Sequence, residues 1–178
     1  DWEKIITAED RTEDYLKATV RCIYGAVLRT AKAVSKQFPV IECELPQQIS
    51  FITTQELEDK YPDLTTKQRE YEITKELGAV FIMKIGGKLK SGNKHDGRAP
   101  DYDDWSTVNE DGYVGLNGDL MLWNPVLEMA FEISSMGIRV DSAALARQLS
   151  FRDEEYKSDL QYHRMLLDGR LPLTIGGG

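Results

Sequence analysis

The sequence has few cysteines, few histidines and no long apolar run, and each shortage removes a class of function. Its 178 residues include two cysteines, Cys22 and Cys43, and two histidines, His95 and His163. No cysteine or histidine group has metal-ligand spacing, so a zinc centre is not expected. The two cysteines read as reduced thiols in a cytoplasmic protein. No Ser-His-Asp order and no Cys-His pairing stands out. No apolar run nears the roughly 20 residues of a membrane span, and the start lacks a signal-peptide pattern. Positive charge is short as well: 22 lysines and arginines stand against 30 aspartates and glutamates, a net charge of -8. Nucleic acid binding needs a basic stripe, which this balance argues against; a small basic pocket stays compatible with it.

What is present is an ordinary globular composition, 41% apolar and 29% charged, of about one domain's length. No repeat, low-complexity tract or linker divides it. Asp10, with Glu13 three residues on, predicts a helix start, and Leu16, Val20, Ile23, Val27, Ala31, Val34 and Phe38 continue at helical spacing until Pro39. Ile49 to Ile52 predicts a short strand. Thr53 with Glu56, and Thr65 with Gln68, are capping-box signatures opening two helices, ended near Tyr61-Pro62 and Gly78. Ala79 to Ile85 reads as a buried strand. Gly86 to Gly112 is a long polar stretch, of a length that is functional or disordered in a compact domain. Asn124-Pro125 joins two apolar runs, Leu120 to Trp123 and Val126 to Ile133, as a hairpin. Asp141 caps a helix over Ser142 to Leu149, and Asp153 another from Glu154 to Asp168, closed by Gly169. Strands interrupted by helices, with one hairpin, predict an α+β fold: an antiparallel or mixed sheet flanked by helices. The chain opens on Asp1 and stops on Gly176-Gly177-Gly178, a glycine-rich turn of the kind that leads into a helix, so an internal stretch of a longer protein is expected.

The hairpin carries the most telling chemistry. With an even-length loop, Asp119 and Glu132 share a face, opposite or diagonal to one another. Directly opposite Cβ atoms lie only ~5 Å apart, and like charges there repel, so something positive is expected between them. Two carboxylates on strands suit a hard cation such as Mg²⁺ carrying nucleotide phosphates. Leu127, Met129, Phe131 and Ile133 alternate with Glu132 and form the core face. The polar face either meets water or lines a cleft; Met121 and Trp123 beside Asp119 favour the cleft. The run from His95 to Trp105 is either a solvated acidic loop or part of a site. It fails as a calcium loop, because Ser106 and Gly112 stand where the EF-hand pattern needs glycine and glutamate. Gly86-Gly87-Lys88 fails as a phosphate loop, with Ile82 for the first glycine and Leu89 for the Mg²⁺-binding hydroxyl. Arg98 presents a planar fork to a carboxylate or phosphate, or forms an internal ion pair. His95 reads as exposed before it reads as a base, and His163 as structural.

These residues resemble the ammonia-dependent asparagine synthetases, or aspartate–ammonia ligases. The matching blocks are Tyr61 to Leu64, Leu77 to Phe81, Ile85 to Leu89, Arg98 to Thr107, Gly115 to Asp119, Trp123 to Glu128, Phe131 to Val140 and Thr174 to Gly178. The resemblance implies a class II aminoacyl-tRNA synthetase-like catalytic core, a single domain over 1–178 truncated at both ends, and a cytoplasmic homodimer. It implies adenylation of the side chain of L-aspartate by ATP, then attack by ammonia, giving L-asparagine, AMP and pyrophosphate. It implies Asp119 and Glu132 as Mg²⁺–ATP acids. By the same resemblance Arg98, Asp103, Ser135 and Arg139 are expected to line the aspartate–adenylate pocket, Asp1 to belong to a Gln-Trp-Asp-Trp-Glu motif, and Gly176, Gly177 and Gly178 to back the nucleotide. Asp103 and Asp1 are the candidates within this stretch for accepting a proton from ammonium. The rival classes are an aspartyl- or asparaginyl-tRNA synthetase and a non-catalytic synthetase-like binding module. The missing basic stripe opposes the first, and the paired acids oppose the second.

Overall fold

The computed structural model describes residues 1–41 and 44–178, so the reading of Cys43 lies outside the described residues. The long helix α1 runs over Glu13–Gln37, and its N-cap is Thr12, whose hydroxyl accepts from the Tyr15 amide at 3.2 Å. Asp10 is not the cap. It accepts instead from the Thr7 amide and hydroxyl at 2.9 and 3.1 Å, so a local turn has taken the side chain that the spacing assigned to the helix. Strand β1 covers Trp2–Ile5 and β2 covers Ser50–Thr53. Both capping boxes form: Thr53 opens α2 (Thr54–Lys60) and Thr65 opens α3 (Thr66–Leu77), which Gly78 ends at φ 72°. Strands β3 (Ala79–Met83), β4 (Asn117–Asn124) and β5 (Met129–Ile138) follow, then α4 (Ser142–Phe151), capped by Asp141 as expected.

The helix expected from Asp153 is broken. Asp153 sits at φ 54°, outside the extended backbone a cap needs, and a 3₁₀ turn (Glu155–Asp159) precedes a shorter α5 (Gln161–Leu167). Strand β6 (Thr174–Gly177) replaces the expected glycine-rich turn. It lies between β1 and β5 in a six-stranded sheet of order β1-β6-β5-β4-β3-β2. All pairings are antiparallel except β2 with β3. The sheet is therefore mixed. That pair is parallel because α2 and α3 form the crossover between its strands.

Each face of the sheet has its own cover. Leu16, Val20 and Tyr24 of α1 pack against Phe81, Leu120, Met136, Ile138 and Ile175 on one face. Leu57 of α2 and Ile73 of α3 pack against Val80, Ile82 and Met121 on the other. Period-two alternation then puts Asp119, Ser135 and Gly137 on this second face, opposite Leu120, Met136 and Ile138. The hairpin turns over Pro125–Glu128, with Asn124 Oδ1 accepting from the Val126 and Leu127 amides at 3.0 Å each. Val126 to Glu128 are thus turn, not strand. Leu127, Met129 and Phe131 are exposed rather than core, and only Ile133 packs inward. Phe131 borders an open groove against α1, together with Ile23, Val27 and Val126.

The polar stretch is ordered by burying its acids. Asp104 is fully buried and accepts from the Ser106 and Thr107 amides at 3.0 and 2.9 Å, the Thr107 hydroxyl at 2.6 Å and Arg11 at 2.7 Å. Arg11 also donates to the Arg139 carbonyl at 2.6 Å and pairs with Asp141 at 3.2 Å. This network ties the loop to the start of α1 and the end of β5. Removing one partner of a buried pair strands the other charge. Asp104→Ala should therefore cost about 3 kcal/mol, read from the urea midpoint. A loss below about 1 kcal/mol would fit an exposed pair instead.

Candidate active site

Asp119 and Glu132 do share a face, but diagonally. A bulge between Leu120 and Met121 sets Asp119 opposite Ser135 and Met121 opposite Glu132. Without the extra residue Ser134 would take the place of Ser135. The positive group expected beside the acids is Arg98, whose Nη2 donates to Asp119 Oδ1 at 2.5 Å. Glu132 is exposed on the strand, yet its carboxyl is pushed up, first by desolvation and then by the charge of Asp119; Arg98 and Lys67 act in the opposite direction.

The second cluster lies towards β6. Asp103 and Arg139 form a buried ion pair. Arg139 Nε donates to Glu3 Oε1 at 2.7 Å, its Nη2 donates to the Tyr102 hydroxyl at 2.8 Å, and its guanidinium stacks 3.7 Å from the Tyr102 ring centre. Burial pulls the guanidinium pKa down, but Asp103 and Glu3 outweigh it and hold it up. Asp103 is raised: burial dominates and Asp119 adds to it, while Arg139 and Arg98 oppose. The two clusters therefore act on one another electrostatically.

Glycines make room for this. Gly137 pairs with Gly176, and Gly178 exchanges two 3.1 Å backbone hydrogen bonds with Ser135. A Cβ on Gly137 would come within 2.8 Å of the Asp103 carboxyl carbon, and one on Gly176 would strike Glu3 and Arg139. A Cβ on Gly178 would lie 2.5 Å from Asp1 Oδ1, which puts exposed Asp1 at the same end of the sheet as Ser135 and Asp119. Gly177 alternates to the opposite face, against Met136 and Trp2.

His95 is not exposed. It is buried, with Nε2 3.1 Å from Glu70, which also pairs with Lys67 at 2.8 Å. Burial raises the Glu70 carboxyl, but His95 and Lys67 together bring it below its usual range. His163 is buried in α5 with Nε2 2.9 Å from Asp101 Oδ2. The residues missed from sequence are Glu3, Tyr102 and Lys67. Glu3 was detectable in principle: if Trp2–Ile5 is a strand, Glu3 falls on the face of Asp1.

Among the described residues no three His, Cys, Asp or Glu side chains form a ready metal cage. Mg²⁺ seldom needs one; it binds through one or two carboxylates together with phosphate oxygens and water. Asp119 and Glu132 fit that habit: they are two carboxylates on one face of adjacent strands.

Known proteins sharpen the picture. The family model described as aspartate-ammonia ligase matches residues 1–178. An aspartate–ammonia ligase of Clostridium tetani is 56% identical over all 178 residues, which span 50% of its length. One of Parabacteroides distasonis is 54% identical, again over the whole chain and 52% of its own length. The chain thus spans about half the length of these relatives. Among solved structures, asparaginyl-tRNA synthetase of Entamoeba histolytica in complex with asparaginyl-adenylate superposes with a TM-score of 0.56 at 15% identity, over 98% of this chain and 39% of that one. Another structure of the same synthetase gives 0.57 at 16% identity, over 98% and 40%. At that identity the likeness is one of fold.

The charge coupling is open to titration. Arg98→Gln removes a cation that favours ionised Glu132, so the Glu132 pKa should rise further. Carbon-13 NMR titration of the glutamate carboxyls reads this directly. An unchanged Glu132 titration would show that Arg98 does not balance the two acids.

Proposed function

This chain belongs to the aspartate–ammonia ligase family, and from that premise we propose that the complete enzyme joins ammonia to L-aspartate at the expense of ATP. The side-chain carboxylate of aspartate attacks the α-phosphorus of ATP; the bond to the β-phosphate breaks and pyrophosphate leaves. Ammonia then attacks the acyl carbon of the β-aspartyl-adenylate, the C–O bond to AMP breaks, and L-asparagine forms after loss of a proton. A carboxylate is a poor acylating agent until its oxygen belongs to a good leaving group, which adenylation provides. The observation that supports this most is two arginine–carboxylate clusters on one side of the sheet, one of them set directly against Gly137 and Gly176.

In this reading Arg98 binds a carboxylate of aspartate or the phosphate of the adenylate. Arg139, held by Glu3, Asp103 and Tyr102, orients the amino acid. Ser135 lines the pocket, and the Gly176 to Gly178 backbone lies along the nucleotide. Asp119 and Glu132 would hold Mg²⁺, which when bound neutralises charge on the phosphates. The nucleophile must be neutral ammonia, whereas ammonium predominates at neutral pH. Asp103 suits the role of a base: it attracts a cation, and its raised pKa favours accepting a proton. Asp1, beside Gly178, is the second candidate. The location is cytoplasmic in this reading; among the described residues no helix is long and apolar enough to cross a membrane. A homodimer would cover the apolar groove between α1 and the hairpin, where Val126 and Phe131 are 87% and 49% exposed.

L-Aspartate should drive ATP–pyrophosphate exchange in the complete enzyme without tRNA or ammonia; exchange that needs tRNA would contradict the proposal. Asp103→Asn also loosens Arg139, so both half-reactions should slow. Asparagine formation should fall about 100-fold or more beyond the loss in exchange, the low end for removal of a general base. Equal losses would assign Asp103 to binding alone.

A further inference from the structure

Arg11 and His163 hold the loop that carries Arg98 and Asp103 through the side chains of Asp104 and Asp101, and a third residue from outside the site holds its backbone. Gln148 lies on α4 at a position where the helix presents Ala144, Leu145 and Leu149 to an apolar cluster. It is fully buried. Its Nε2 donates to the Pro100 carbonyl at 2.9 Å and to the Asp103 carbonyl at 3.1 Å, and its Oε1 accepts from the Trp105 amide at 2.8 Å. The carboxamide thus spends both donor hydrogens and its acceptor on one short span of backbone. Two of its partners lie beside or within the functional groups: Pro100 follows Arg98 by two residues, and Asp103 is a member of the site itself.

We propose that Gln148 is a positioning residue that sets the spacing between Arg98 and Asp103, and so between the Asp119 and Arg139 clusters, before aspartate binds. This rests on the ligase reading above. A buried amide in an apolar layer costs stability unless every group is paired, and here every group is paired with loop backbone. No other shape in the set of side chains does this work: leucine or methionine fills the space without bonds, and glutamate keeps only the acceptor while turning a charge towards two carbonyl oxygens. The loop has other anchors: at Asp103 it bridges to Arg139 on the end of β5, with the Asp104 amide donating to the Ile138 carbonyl and the Val140 amide to the Tyr102 carbonyl, both at 2.9 Å. Asp104 binds Arg11 and its own turn, and Trp105 Nε1 donates to the Ala99 carbonyl at 3.0 Å. None of those touches the Asp103 carbonyl.

Gln148→Met and Gln148→Glu test the proposal in the complete enzyme, assayed well below the unfolding temperature with active sites counted. Displacing a group by about 1 Å can cost about 100-fold in rate. We expect kcat/KM for aspartate to fall about 10-fold to 100-fold per active site, with the KM for ATP within about 2-fold of wild type. A merely structural glutamine would lower the number of active molecules and leave per-site kinetics intact; that result would overturn the proposal, and so would equal losses towards ATP and aspartate. If neither variant folds, amide exchange of the wild-type enzyme decides. The Trp105 amide should be strongly protected before aspartate is added. Protection that appears only with aspartate would mean that the substrate, not Gln148, orders the loop. Failure of the wild type to make asparagine would refute the ligase reading instead, so the two outcomes are distinguishable.

Discussion

A buried charge must find a partner, and this constraint shapes the open face of the sheet. Asp103 and Arg139 are both withdrawn from water and answer one another; Asp119 answers Arg98. Arg139 could not sit against Asp103 as it does if the strands beneath carried side chains, because a Cβ on Gly137 would strike Asp103 and one on Gly176 would strike Arg139. Gly137 and Gly176 therefore follow from the ion pairs as much as from any ligand. Glu3 and Arg139 also border a cavity whose other walls include Tyr162, Leu166 and Leu171, polar groups beside apolar ones as in many small-molecule sites. Loss of Arg98 would be felt by more than one acid, because its charge favours the ionised form of both Asp103 and Glu132 while Asp119 opposes it at both.

The second determinant is a single extra residue. The bulge opposite Leu120 and Met121 turns Ser135 rather than Ser134 towards Asp119, and keeps Glu132 on the same face one diagonal step away. Separation softens the repulsion that direct pairing would bring. It leaves Glu132 more exposed than Asp119, with a raised carboxyl rather than a locked ion pair. One acid is thus held rigid by Arg98 and the other left available, a division of labour that suits a cation arriving with its own phosphate ligands.

Much of the fold was legible because its signals are local. Thr53 with Glu56, Thr65 with Gln68, Gly78, Asn124-Pro125 and Asp141 each act within four residues, and each does what its chemistry dictates. The differences have two sources, a competing local hydrogen bond and contacts made over long range. Asp10 was drawn into a turn by Thr7. Leu127 to Phe131 alternated properly, but periodicity cannot say whether the next element covers the face it defines. Strands β1 and β6 are short, and β6 is half glycine, so propensity argues against it; its pairing with β1 joins residues some 170 positions apart, which no window sees. In the site, the sharing of a face by Asp119 and Glu132 was readable from alternation. The partner of Arg98 was left open, and the buried His95–Glu70 pair and the Gln148 contacts depend on tertiary packing alone.

We propose that the complete enzyme uses this face to activate the side-chain carboxylate of aspartate by joining it to the α-phosphate of ATP. The most direct measurement follows the oxygen. L-Aspartate labelled with heavy oxygen in its side-chain carboxylate is turned over by the complete enzyme with ATP and ammonia, and the products are weighed by mass spectrometry. The account predicts a single labelled oxygen in AMP and none in pyrophosphate. Label in inorganic phosphate, with ADP as the nucleotide product, would contradict it, because the carboxylate would then have attacked the γ-phosphate and no adenylate would have formed.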